Sequence, residues 1–318
     1  MGKEDQSFMN RKNKVIIYGI GLSLLLGGCM DSANGNGVEE KNTQVEGKDS
    51  GDGLVSVQEY DGEGFSLENG QQNDKIAEAN RDEVEQAVKD FFLKQHKTDV
   101  EVHNVVGNVD GASVFVESIG KTHFHTYAVV PIDVSEEKML TDQVFSPEGE
   151  VENAIASGVY GLLYEDEFTK LNQVIEGMAE ELAFTGETKE AINNTAAFGY
   201  GTPYYYVSFG DIERSNLIMD TYIKNPKTSK EEWKETLNIS EVDPEAIYIT
   251  IQLYKNRPGE KPATEELERV VQTIKDTEGI PAGAYNILLH DNTIDKESGV
   301  GSKETSIERS LPDYIIKK

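Results

Sequence analysis

Val100-Glu-Val-His-Asn-Val-Val106, Ala112-Ser-Val-Phe-Val-Glu117 and His123-Phe-His-Thr-Tyr-Ala-Val-Val130 follow one another closely, each rich in β-branched and aromatic residues. Such runs fit a pleated, half-buried surface and read as strands. Asp110-Gly111 separates the first two and Gly120-Lys121-Thr122 the others. Short glycine-containing connections turn a strand back on its neighbour, so an antiparallel meander is expected. Upstream, Val84, Ala87, Val88, Phe91 and Phe92 recur at helical spacing. That stripe predicts one amphipathic helix from about residue 74 to Lys97.

Downstream the spacing becomes helical again, with Ile155, Val159 and Leu162, then Phe168, Leu171, Ile175, Met178 and Leu182. Glu165-Asp166-Glu167 interrupts the stripe, which predicts two helices rather than one. Tyr204-Tyr-Tyr-Val-Ser-Phe209 reads as a strand, and Ser229-Lys-Glu-Glu232 before Trp233 as the capping box of a further helix. Ala246-Ile-Tyr-Ile-Thr-Ile-Gln-Leu-Tyr254 is the strongest strand. Leu267, Val270, Val271 and Ile274 mark a last helix, stopped by Gly279 and Pro281, and Ala284-Tyr-Asn-Ile-Leu-Leu289 a last strand. The whole predicts an α+β domain over 54–290, with a mixed, mainly antiparallel sheet and helices packed to one side. The polar stretch 133–150 is where it would divide if it had two lobes. Residues 291–318 read as a polar C-terminal segment, mobile until Leu311-Pro-Asp-Tyr-Ile-Ile316.

The amino terminus carries a different signal. Arg11-Lys-Asn-Lys14 precedes an apolar run, Val15 to Leu26, and then Gly27-Gly28-Cys29. A basic n-region before twelve mostly apolar residues has signal-peptide proportions and is short for a span, which needs about 20. Residues 1–28 are expected to be removed. Residues 30–53, rich in Gly, Asn, Ser and Asp, read as a flexible tether.

The chain holds 30 basic and 58 acidic side chains. Removing four basic and two acidic residues with the signal peptide leaves a net charge of −30. No nucleic-acid partner is expected, because a polyanion site needs a basic patch to release counterions. A single Cys excludes intramolecular disulfides and Cys-based zinc sites in the exported part.

Catalytic signatures are missing: there is no G-x-S-x-G, H-E-x-x-H or phosphate loop, and Ser135-Glu-Glu-Lys138 lacks the companion motifs its spacing would require. His123 and His125 alternate on one strand, so their side chains share a face, and His103 lies on a neighbouring run. Three imidazoles would suit Zn²⁺ or Cu²⁺; on a half-buried sheet they would otherwise sit on its solvated face, opposite Phe124, Ala128 and Val130. Tyr200, Tyr204 and Tyr206 form the second candidate, as rings that could stack on a peptide or glycan. Asp291-Asn-Thr-Ile-Asp295-Lys-Glu297 alternates oxygen ligands but lacks the Gly and final Glu of a calcium loop.

Leu26-Gly27-Gly28-Cys29 resembles the lipobox of bacterial lipoproteins. With Val57-Gln-Glu-Tyr-Asp-Gly-Glu-Gly-Phe65, Asn73-Asp-Lys-Ile-Ala-Glu-Ala-Asn-Arg81 and His123-Phe-His-Thr-Tyr-Ala-Val-Val-Pro131, the chain is similar to a family of lipoproteins of unknown function from Gram-positive bacteria. The resemblance implies signal-peptidase recognition through Leu26, Gly27 and Gly28, and diacylglyceryl and palmitate chains on Cys29. It also implies anchoring to the extracytoplasmic face of the cell membrane. It implies no cofactor beyond that covalent lipid, and no activity. The leading expectation is a non-enzymatic module for an envelope protein, peptide or glycan. The alternatives are a metal-binding protein or metal-dependent enzyme using the histidines, or a wall-glycan hydrolase whose carboxylate pair hides among the acidic residues.

Overall fold

The computed structural model describes residues 53–210, 212–237 and 243–318. Leu26, Gly27, Gly28 and Cys29, with the tether through residue 52, lie outside the described residues.

After a short strand, β1 (Leu54–Ser56), come α1 (Gln71–Ala79) and α2 (Arg81–His96). One helix is expected here from the periodicity, but Asn80 breaks it. Its side-chain amide donates to the Ile76 carbonyl at 2.8 Å, while its own carbonyl accepts from Glu83 and Val84. A side chain that satisfies the backbone locally competes with helix continuation. Ile76 and Ala77 on α1, and Val84, Val88 and Phe92 on α2, face the core.

The meander follows as β2 (Val100–Gly107), β3 (Gly111–Ser118) and β4 (His125–Asp133), extended by β5 (Lys138–Met139). Asn108 closes the first hairpin: its Oδ1 accepts from the Asp110 and Gly111 amides at 2.7 and 2.8 Å. Such Asx bonding fixes the turn and with it the register. Ala112, Val114, Val116, Phe124, Ala128 and Val130 turn inward. Phe145 pairs back onto Val129, and the described residues belong to one compact unit.

Helices α3 (Glu150–Leu163) and α4 (Glu165–Leu182) meet at Tyr164, where the charged interruption predicts a break. Next come β6 (Phe184–Thr185), α5 (Lys189–Thr195), β7 (Gly201–Thr202), β8 (Tyr205–Phe209) and α6 (Ile212–Lys224). Then α7 (Lys230–Thr236) carries the expected capping box, Ser229 with Glu232, and buries Trp233 completely. Strand β9 (Ile247–Lys255), helix α8 (Thr264–Asp276) and strand β10 (Gly283–His290) form a crossover in which β9 and β10 run parallel. Every other strand pairing described is antiparallel.

The C-terminal segment corrects the expectation of mobility. Strand β11 (Thr293–Asp295) pairs with β1 and with β12 (Val300–Gly301), while β13 (Ile307–Arg309) and β14 (Ile315–Lys317) line the free edge of β10. A long buried strand cannot leave that edge unpaired, since each orphaned backbone group costs a hydrogen bond. Ile294 and Ile315 go into the interior with it. Asp291, a candidate calcium oxygen, instead accepts from Thr293 and Thr305.

The domain is thus α+β. Residues of α1 to α4 and α6 to α8 share one core with the inner faces of the meander and the β8-β9-β10 sheet. Helix α5 contacts β2 and β3 from the other face of the meander. Among the described residues no helix is long and apolar enough to cross a membrane.

Candidate site on the outer face of the meander

Alternation along β3 turns Val114 and Val116 inward and leaves Phe115 and Glu117 on the outer face. The registers set by the two hairpins place Glu117 opposite Glu101 on β2 and opposite His125 on β4. A bulge in β2 inserts His103 between the pairs Val102↔Val116 and Asn104↔Phe115. Between β3 and β4, Ser118 Oγ donates to the Thr122 carbonyl at 2.8 Å and accepts from the Phe124 amide at 2.9 Å. That turn buries Phe124 and holds His123 beside His125, their ring centroids 5.2 Å apart. His123 thus precedes the strand, which begins at His125.

The face on which these histidines lie is covered. The His125 backbone pairs with Gly199 through two hydrogen bonds of 2.8 and 2.9 Å. Gly199 adopts φ +83°, and a Cβ there would come within 2.0 Å of Ser157 Oγ, so only glycine fits this approach. The strap brings Phe198 against His125 and Tyr200 against His123, at 6.2 and 6.3 Å between centroids. From α5, Asn193 Oδ1 lies 3.1 Å from His125 Nε2, and the Asn194 carbonyl accepts from Asn104 in the bulge at 2.9 Å.

All three predicted histidines therefore converge, and they do so on a residue that sequence reasoning missed. Glu117 Oε2 is 3.0 Å from His103 Nε2, and Oε1 is 3.4 Å from His123 Nδ1. The ligand atoms of Glu117, His123 and His125 all lie within 4.8 Å of one another, as do those of Glu101, His103 and Glu117. His125 is 3% exposed. The Asn193 oxygen can only accept, so it fixes the His125 proton on Nε2 and leaves Nδ1 as a lone-pair nitrogen. That Nδ1 is buried without a hydrogen-bond partner.

Electrostatics put these groups in the states a cation requires. Burial pushes the His125 imidazole down to about 4, against the hydrogen bond it donates to Asn193 and the pull of Glu117. Burial also lowers His123, again against Glu117, with Lys189 adding to the effect. Burial would raise Glu117, but the hydrogen bond to His103 and the neighbouring imidazoles outweigh it and hold the carboxyl below its ordinary value. Near neutral pH the site presents a carboxylate and two uncharged imidazoles, which is a donor set for a borderline divalent metal.

The tyrosines are placed differently. Tyr200 packs on Phe168 at 4.9 Å and overlies Gly161, where a Cβ would meet its ring at 2.6 Å. Tyr206 stacks on Phe198 at 4.8 Å and 21°. Tyr204 is half-buried against the core, and burial raises all three hydroxyls. Tyr205, on the opposite face of the strand, is buried outright. Structure brings Tyr200, but neither Tyr204 nor Tyr206, into ring contact with the histidines.

The fold is similar to that in a crystal structure of a DUF1672 family protein from Staphylococcus aureus. The TM-score is 0.65 over 80% of this chain and 96% of that one, at 19% identity. No curated protein matches the chain. The family pattern described as protein of unknown function (DUF1672) matches residues 47–317, and the chain belongs to that family.

Proposed function

We propose that the chain is a lipoprotein held by acyl chains on Cys29 at the outer face of the cell membrane. Its folded domain is a binding module for a divalent transition metal, taken by Glu117, His123 and His125. The lipobox Leu26-Gly27-Gly28-Cys29 after a signal-peptide-length apolar run supports the anchor. One observation carries the metal reading: Glu117 stands between His103 and His123 at 3.0 and 3.4 Å, beside a buried His125 whose Nδ1 has no partner. Two imidazoles and one carboxylate form a donor set that zinc takes with an open fourth position. Asn193 orients His125 from behind, as outer-shell partners do for metal-ligating histidines.

Elemental analysis of the full-length chain, purified in detergent without a His tag, should find stoichiometric zinc or copper. His123→Ala should weaken that binding by more than the roughly 10- to 100-fold typical of losing an outer-shell partner. Metal-free protein that takes up no zinc when titrated would refute the reading. Cys29→Ser should abolish lipid labelling and leave the signal peptide in place, and normal processing of that variant would remove the anchor from the account.

A further inference from the structure

We infer that the site takes two divalent cations, with Glu117 as the carboxylate that bridges them. The inference rests on the metal-binding reading above and adds a second position, formed by Glu101 and His103.

The two oxygens of Glu117 face different partners. Oε1 is turned to His123 and Oε2 to His103, so neither histidine competes for the other's oxygen. An ionised carboxylate has lone pairs on both oxygens and can hold a cation on each side. Paired-metal sites in other proteins set their ions about 3.5–4 Å apart, a span one carboxylate covers.

Glu101 supplies the second end. It lies directly opposite Glu117 in the β2–β3 register, and like charges so placed destabilise a sheet. His103 enters the same group through the bulge, and the ligand atoms of Glu101, His103 and Glu117 all fall within 4.8 Å of one another. Bulges next to functional sites commonly re-aim a side chain. This one is pinned at both ends of Asn104: its Nδ2 donates to the Asn194 carbonyl, and its Oδ1 accepts from the Val105 amide at 2.9 Å. Consecutive residues of α5, Asn193 and Asn194, thereby brace His125 on one side of Glu117 and the His103 bulge on the other.

Titration of the metal-free, full-length chain in detergent with Zn²⁺, followed by calorimetry and native mass spectrometry, should reach two equivalents. Glu101→Gln and His103→Gln should each reduce this to one, and Glu117→Gln should abolish both. His123→Ala/His125→Ala should retain one equivalent, read as His103-dependent by adding His103→Gln. Circular dichroism of the metal-free variants should match wild type. Saturation at one equivalent, unchanged by Glu101→Gln and His103→Gln, would overturn the second ion and leave the first reading standing. Two equivalents insensitive to those substitutions would also overturn it. No zinc uptake at all would defeat both readings together.

Discussion

Strand β8 and the start of β4 each bury an aromatic ring with a polar atom on it, and they treat that atom in opposite ways. On β8, Tyr205 lies almost parallel to Phe168, 13° apart, and its hydroxyl donates to Asn172 at 2.7 Å. At β4, His125 is as deeply buried, yet Nδ1 has no partner. Leaving a buried polar atom unsatisfied costs about 1–3 kcal/mol, so folding alone gives no reason to keep it so. The Tyr-rich strand uses its rings and its buried Tyr205 hydroxyl for packing, whereas the outer face of the meander holds donors in reserve.

Three substitutions press on this contrast. The largest effect is expected from Tyr205→Ala, which removes a ring 2% exposed together with its stack on Phe168. It should cost about 3–5 kcal/mol in chemical denaturation and leave zinc stoichiometry unchanged. Loss of metal binding in the folded variant would show that the two regions are coupled rather than separate.

His290 tests whether an orphaned ring nitrogen by itself makes a site. Its Nδ1 lies 2.6 Å from Ser306 Oγ, its ring stacks on Tyr254 at 4.7 Å, and its Nε2 is buried without a partner. No carboxylate and second histidine converge on it among the described residues. Burial lowers it to about 4, against the pull of Asp291. The unfolded imidazole, near 6.5, therefore takes up its proton first as the pH falls. Its contribution is complete above about pH 6.5 and is lost toward about pH 4, up to about 3 kcal/mol. Glu150 and Glu187, raised to about 7 chiefly by burial, act in the opposite sense: their contribution is present in acid and lost as the pH rises through 7. The difference in stability between wild type and His290→Gln isolates the histidine and should shrink by that amount between pH 7 and 4. A constant difference would contradict the assigned burial effect, and zinc binding should not change.

The smallest effect is expected from His123→Ala in the metal-free protein. Its side chain is 36% exposed and meets Glu117 at 3.4 Å. Removing it should move stability by about 1 kcal/mol or less, the net worth of one hydrogen bond from an uncharged, partly exposed side chain. A loss comparable to that of Tyr205→Ala would place His123 among the packing residues and erase the distinction.

Much of the meander was legible. The Asp110-Gly111 turn and the alternation of its strands announced three antiparallel strands, but His123 lies ahead of the strand and meets His125 through the turn that Ser118 holds, not through strand alternation. Glu117 was missed because only half of its signal was present: counting across the Gly120-Lys121-Thr122 turn sets it opposite His125, but an unbroken count across the Asp110-Gly111 turn sets it opposite Val102, and the bulge moves the pairing to Glu101. The bulge at His103 had no local signature, since an inserted residue changes pairing without changing composition. Helix α5 was invisible because seven residues are too few to show a period. The C-terminal strands, of two or three residues, hid for the same reason.

By itself, the sequence determined the kinds of element and the faces they bury, because periodicity and turn chemistry act over a few neighbouring residues. It also determined an acidic chain with one cysteine, Cys29, directly after Leu26-Gly27-Gly28. Only the tertiary structure decided that β9 and β10 pair in parallel, that the last residues close the edge of β10, and that α5 covers the histidines. Those outcomes depend on groups far apart in the chain competing for the same backbone edges and buried faces, and that competition is settled only when the whole core forms.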